Sequence, residues 1–219
     1  EYADAQSIKQ IESGIQAMNI SGPDFNGDGF ADIPVGAPGS FHAGHIGAGS
    51  VSVLYGPYLN SSKNQRFHQG SPGIIGANER MDYWGESLSD GDFNADGFDD
   101  LVVAAPREDI GQTVNSGSVW ILYGSDSGLR SESSWGFNQA SSGIPGVNEE
   151  NDLWGSALVS GDFNGDSYAD LVIGAPYQDV GELVDAGSIL VLLGGATGLS
   201  SLNAMEFHQD TDGVPGANE

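Results

Sequence analysis

Cysteine is absent from the 219 residues, so no disulfide staples the fold and no thiol chemistry is available. Basic residues are scarce as well. Six Lys and Arg stand against 31 Asp and Glu, for a net charge of −25. Such a surface repels phosphate backbones and anionic lipid heads and favours cations, which excludes nucleic acid as a partner. No run of about 18 apolar residues occurs, so membrane insertion is not expected. The N-terminus lacks a signal-peptide pattern; an extracellular chain would have lost its leader by processing or trimming. No G-x-S-x-G elbow, phosphate loop or Ser/His/Asp arrangement is present, and the expectation is a protein that is not an enzyme.

Glycine, by contrast, is abundant at 34 residues, with nine prolines. Without a collagen period this content means many turns, and the regular apolar runs between them argue for short strands rather than disorder. Those runs repeat. Gly36-Ala37-Pro38 matches Ala104-Ala105-Pro106 and Gly174-Ala175-Pro176, at steps of 68 and then 70 residues. Gly49-Ser50-Val51 matches Gly117-Ser118-Val119 and Gly187-Ser188-Ile189. Trp84-Gly85 returns as Trp154-Gly155, and Phe67-His68-Gln69 returns as Phe137-Asn138-Gln139 and Phe207-His208-Gln209. Landmarks sharing one period define a structural repeat.

Each unit reads as four strands. The first lies around residues 84–89 and 154–160, with a degenerate equivalent near 15–21. The second is the short apolar run 33–35, 101–105 and 171–175, whose continuity suggests burial on both faces and whose end is set by the following Pro. The third is 50–55, 118–123 and 188–193, each closed by Gly, and the fourth surrounds Phe67, Phe137 and Phe207. Residues 4–18 suit a short helix. The fold class is therefore all-β: blades of four antiparallel strands, three in this chain, as in a β-propeller that is partial or completed by other chains. The units divide as 15–70, 71–140 and 141–210, after an N-terminal segment 1–14. Residues 211–219 start a further repeat, since Gly216-Ala217-Asn218-Glu219 matches Gly76-Ala77-Asn78-Glu79.

Between the first two strands of every unit sits an acidic loop. Its oxygen-bearing side chains fall at positions 1, 3, 5 and 9: Asp24, Asn26, Asp28 and Asp32; Asp92, Asn94, Asp96 and Asp100; Asp162, Asn164, Asp166 and Asp170. Alternate residues of a tight loop turn their oxygens inward, and position 7 (Phe30, Phe98, Tyr168) would add a backbone carbonyl while its ring packs on the core. Six to eight hard oxygen ligands, with no His or Cys, select calcium, and about three Ca2+ sites are expected. These are not EF-hands, because position 12 is Val35, Val103 or Ile173 inside a strand. Position 6 requires a sharp turn suited to Gly, and the third loop has Ser167 there.

The phrase Trp154-Gly155-Ser156-Ala157-Leu158, then Gly161-Asp162-Phe163-Asn164-Gly165-Asp166, then Asp170-Leu171-Val172-Ile173-Gly174-Ala175-Pro176, resembles the FG-GAP repeat of integrin α-subunit propellers and their bacterial relatives. Trp84 and Trp154 stand where that family usually has Phe, and the first unit lacks the aromatic–glycine pair before Asp24. The resemblance implies seven-bladed propellers with calcium in the loop between the first two strands of some blades, and extracellular or cell-surface binding of proteins or glycans.

The favoured function is a calcium-binding extracellular structural or adhesion module that binds a protein partner, or other copies of itself through exposed blade faces. The alternatives are a glycan-binding lectin, for which Trp120 and Trp135 are candidates, and a non-catalytic accessory domain of a secreted enzyme. His68 and His208 share a repeat position with Asn138, which reads as structural hydrogen bonding; His42 and His45 lie in a Gly-rich loop where a transition-metal site is the less favoured reading. Asn19 and Asn60 begin glycosylation acceptor triplets.

Overall fold

The computed structural model describes residues 22–59 and 62–215. The expected helix at 4–18, the degenerate strand at 15–21, both glycosylation triplets' asparagines and residues 216–219 lie outside that range. Eleven strands form three antiparallel sheets. The first sheet holds β1 (Ile33–Gly36), β2 (Val51–Leu54) and β3 (Gln65–Phe67). The second holds β4 (Ser87–Gly91), β5 (Asp100–Ala105), β6 (Ser118–Tyr123) and β7 (Arg130–Phe137). The third holds β8 (Ala157–Gly161), β9 (Asp170–Ala175), β10 (Ser188–Leu193) and β11 (Ser200–Phe207). Within each sheet the strands lie in sequence order, and the last hairpin carries the same register shift in the second and third units, after Ile121 and after Val191.

The expected strand two is β1, β5 and β9, and each ends before its proline. The expected strand one begins later than the sequence suggested. Trp84-Gly85 and Trp154-Gly155 form a turn ahead of β4 and β8 rather than their first residues, because Gly85 and Gly155 adopt φ of 88° and 95°. Double-sided burial holds fully for β5 and only partly for β9, and it fails for β1, where Ile33 and Val35 are 44% and 43% exposed. The reason is position. The second sheet has a neighbour on both faces, whereas no described residue packs over the outer face of β1.

Alternation along the strands builds two cores from one sheet. Leu101, Val103, Ala105, Trp120 and Leu122 of the central sheet face the first unit and meet Val51, Val53, Phe67 and Trp84. Val102, Ala104, Val119 and Ile121 face the third unit and meet Trp154, Leu171, Ile173 and Leu190. Each interface is therefore plugged by the tryptophan that opens the following unit, and both indoles are fully buried.

Candidate functional site

All three acidic loops lead into the same strand of their sheet, β1, β5 or β9, and in the second and third units they follow β4 and β8. The ninth-position Asp is the best defined residue in each. Asp100 is fully buried and accepts hydrogen bonds from Phe93 N at 3.2 Å and Gly124 N at 2.9 Å. Asp32 accepts from Phe25 and Gly56, and Asp170 from Phe163 and Gly194, so the carboxylate ties the start of the loop to the end of the third strand in every unit.

Positions 1, 3 and 5 turn onto the loop's own amides. Asp24 accepts from Asp28 N and Gly29 N, Asn26 from Asp28 N, and Asp28 from Phe30 N. Asp92, Asn94 and Asp96 repeat this on Asp96, Gly97 and Phe98, and Asp162, Asn164 and Asp166 do so on Asp166, Ser167 and Tyr168. Among the described residues no three acidic or histidine side chains form a ready-made metal cluster. The carboxylates nonetheless feel one another. Burial, opposed by the two amide hydrogen bonds and reinforced by the charges of Asp96 and Asp92, raises Asp100 to about 7. Burial and the charges of Asp24 and Asp28 raise Asp32 to about 6 against its amide bonds. Asp162 is shifted the other way, chiefly by the hydrogen bond from Ser167 N. An all-oxygen loop whose acids repel one another fits a hard divalent cation, which would remove that repulsion.

Loop geometry follows the glycine pattern. At position 6, Gly29 and Gly97 adopt φ of 84° and 90°, and Ser167 is held at 74°. A left-handed residue with a Cβ costs about 1–2 kcal/mol. Ser167→Gly is therefore expected to raise the stability by about 1 kcal/mol, read as a higher denaturant midpoint at unchanged slope.

The aromatic residues divide differently from the expectation. The position-7 rings are only half-buried, and Phe98 leans on Gly27 of the neighbouring loop instead of entering a core. Position 2 supplies the anchors: Phe25 and Phe93 are fully buried, while Phe163 is 54% exposed in the last unit. Neighbouring loops are also tied directly, because Asp24 N donates to Asp99 at 2.7 Å and Asp99 N donates to Asp24 O at 3.1 Å. A hollow of about 240 Å³ lies beside the first loop, lined by Asn26, Asp28, Tyr55, Lys63 and Asp126.

A second polar system sits at the junctions between units and was not singled out by sequence reasoning. Buried Gln69 donates to buried Glu108 of the next unit, and at the next junction buried Gln139 donates to Gln178, which donates on to Glu149. The signal was the Gln that ends all three Phe-x-Gln phrases. Burial and the nearby charge of Asp82 push Glu108 up to about 8, against the hydrogen bond from Gln69, with Glu79 and Asp109 adding to the rise. Because the folded value lies above the unfolded one, the folded state holds the extra proton, and stability falls as pH rises from about 4.5 towards 8. Gln178 already occupies the equivalent place as a neutral isostere. Glu108→Gln is thus expected to match the parent near pH 4.5 and to exceed it in stability increasingly up to pH 8, as measured by urea unfolding across pH.

The remaining candidates have structural surroundings. His68 Nδ1 accepts from Gly70 N, His208 Nδ1 from Asp210 N, and Asn138 Oδ1 from Ala140 N, so one repeat position does one job. The ring of His42 stacks on His68 with centroids 4.4 Å apart. Trp120 is a core residue whose Nε1 donates to Ile75 O at 2.7 Å, and Trp135 stacks on Phe137.

Comparison with known proteins agrees with this architecture. The FG-GAP repeat model matches residues 19–54, 84–122 and 154–192, one match per sheet. Phosphatidylinositol-glycan-specific phospholipase D of Rattus norvegicus is 33% identical over 171 residues, covering 74% of this chain and 18% of that protein. The Homo sapiens enzyme of the same name is also 33% identical, over 74% of this chain and 19% of its own length. Integrin alpha-PS5 of Drosophila melanogaster is 32% identical over 195 residues, which is 88% of this chain and 18% of the integrin. The chain thus spans under a fifth of the length of these relatives. With three family matches laid over three sheets, the chain belongs to the FG-GAP repeat family.

Proposed function

We propose that the chain is a calcium-binding extracellular module, structural or adhesive rather than catalytic, whose loops are fixed by Ca2+ and whose surfaces receive a protein partner. The observation that carries this reading is the identical placing of three all-oxygen loops, each sealed by a buried Asp. Asp24, Asn26, Asp28 and Asp32 would hold the first ion with the carbonyl of Phe30, and the other two loops would do likewise. Calcium would supply charge compensation there and hold strands one and two together, a role that disulfides cannot fill in a chain without cysteine.

Support for an extracellular setting comes from the integrin and phospholipase relatives, and the same relatives support either an adhesive or an accessory role. The glycan-binding alternative is weakened by the burial of Trp120 within the core. Thermal unfolding in millimolar calcium and in excess chelator tests the proposal. Each site filled at a hundred times its Kd adds about 2.7 kcal/mol, so Tm should rise markedly with calcium and not with magnesium at the same concentration. Equal Tm values in calcium and chelator would remove the basis for the reading.

A further inference from the structure

Asparagine followed by glycine occurs twice in the chain, at Asn26-Gly27 and Asn164-Gly165, and both pairs fill positions 3 and 4 of an acidic loop. The second loop has Asn94-Ala95 there. Such a pair can react with itself. The backbone nitrogen after the asparagine attacks the side-chain Cγ, and glycine leaves that approach open because it has no Cβ. All three loops supply one part of the required geometry. Each Asn side-chain oxygen accepts a hydrogen bond from the amide two residues on, at 2.9 Å in the first loop and 2.8 Å in the other two. That amide is a fixed donor at the oxygen where negative charge collects during attack.

The loops differ at the attacking nitrogen. Gly165 N donates to Asp162 Oδ1 at 2.7 Å, so the proton it must lose already points at a carboxylate. Among the described residues neither Gly27 N nor Ala95 N makes the matching bond; Asp24 and Asp92 accept from the amides at positions 5 and 6. The departing nitrogen of the third loop is placed as well, since Asn164 Nδ2 donates to Asp166 Oδ2 at 2.9 Å. Access separates the two Asn-Gly pairs further. A Cβ on Gly165 would meet nothing within 4 Å, whereas one on Gly27 would lie 2.7 Å from Cε1 of the Phe98 ring. Asn164 is exposed and Asn26 is half-buried.

We propose that Asn164 is a self-modification site, converted by its own loop to aspartate and isoaspartate through a cyclic imide formed with Gly165. Gly165 N bonds to Asn164 Cγ, and its proton passes to Asp162. The Cγ–Nδ2 bond then breaks, and Nδ2 takes up a proton and leaves as ammonia. Water opens the imide. Opening at Cγ restores the original peptide bond and leaves a carboxylate on the side chain. Opening at the backbone carbonyl leaves the chain running through the side-chain carbon. The first product adds a fourth carboxylate to Asp162, Asp166 and Asp170, and the second lengthens the backbone between positions 3 and 4. The third loop therefore ages first, the first loop more slowly, and the second is spared. The reaction uses only the chain and water and is independent of calcium.

The test incubates the whole chain in chelator at neutral pH and physiological temperature, with samples digested at intervals. Mass spectrometry reads the gain of one mass unit at each loop asparagine, and an isoaspartyl methyltransferase counts the isoaspartate. Asn164 should convert about tenfold faster than Asn94 and about threefold faster than Asn26. In denaturing urea the lead of Asn164 over Asn26 should vanish, because both are then Asn-Gly pairs in a free chain. Gly165→Ala should bring Asn164 down to the rate of Asn94; Ala95, at φ of 54°, shows that the loop accepts alanine at this position. Asp162→Ala, with circular dichroism confirming the fold, should remove the lead over Asn26. Equal rates for Asn164 and Asn26 in the folded chain, or a lead that persists in urea, would overturn the proposal. Because every rate is read in chelator, a failure of the calcium reading leaves this outcome untouched.

Discussion

Trp154→Ala is expected to destabilise the chain by about 3–5 kcal/mol, the usual range for emptying a large aromatic site in a core. Trp154 is 1% exposed and lies edge-on to Phe137, with ring centroids 5.6 Å apart. It fills the space between the second and third sheets, so its loss leaves a cavity that two rigid sheets cannot close. For a domain of this size the loss lowers Tm by on the order of 10 °C. Trp154→Phe should retain most of the stability, because a ring still bridges the sheets. Trp135→Ala should cost far less, since that ring is only half-buried beside Phe137. Calorimetry on the three variants checks the order. Equal losses at positions 154 and 135 would contradict the plugged-interface account.

Asp100→Ala is the second large effect. It removes the acceptor of two buried amides, those of Phe93 and Gly124. Each orphaned buried donor costs about 1–3 kcal/mol, so the variant should lose about 2–5 kcal/mol even with calcium removed. At neutral pH part of this is offset, because the parent carboxyl is raised to about 7 and is costly to ionise where it lies. Lowering the pH widens the gap, since the parent's carboxyl is then protonated and still accepts while the variant has no acceptor there. Urea unfolding in chelator, compared with Asp96→Ala at an exposed loop position, separates the two roles. A large loss at 100 and a small one at 96 is the expected outcome.

Much of this fold could be read from the chain because its repeat is written in residues that backbone geometry demands. The glycines of the loops sit at positive φ, Pro38, Pro106 and Pro176 lie just beyond β1, β5 and β9, and the apolar runs 101–105 and 171–175 became β5 and β9 with little change. What failed was what depends on neighbours. Ile33 and Val35 read as buried because their residue types match Leu101 and Val103, yet burial is a property of the stack and no described unit covers them. The Trp-Gly pairs read as strand because aromatic residues favour strands, whereas they form the turn that enters the next interface. The loops were legible as oxygen-rich, but sequence could not show that position 9 spends its carboxylate on two amides, nor that position 2 rather than position 7 carries the buried ring. Glu108 escaped notice because one carboxylate among 31 acidic residues looks like surface charge until Gln69 is seen against it.

Equilibrium dialysis against labelled calcium tests the central claim most directly, with the parent chain compared with a variant carrying Asp92→Asn and Asp96→Asn. The account predicts three ions per chain, one for each loop, and two in the variant, with the fold retained. No saturable binding at millimolar calcium, or binding that the two substitutions leave untouched, would contradict it.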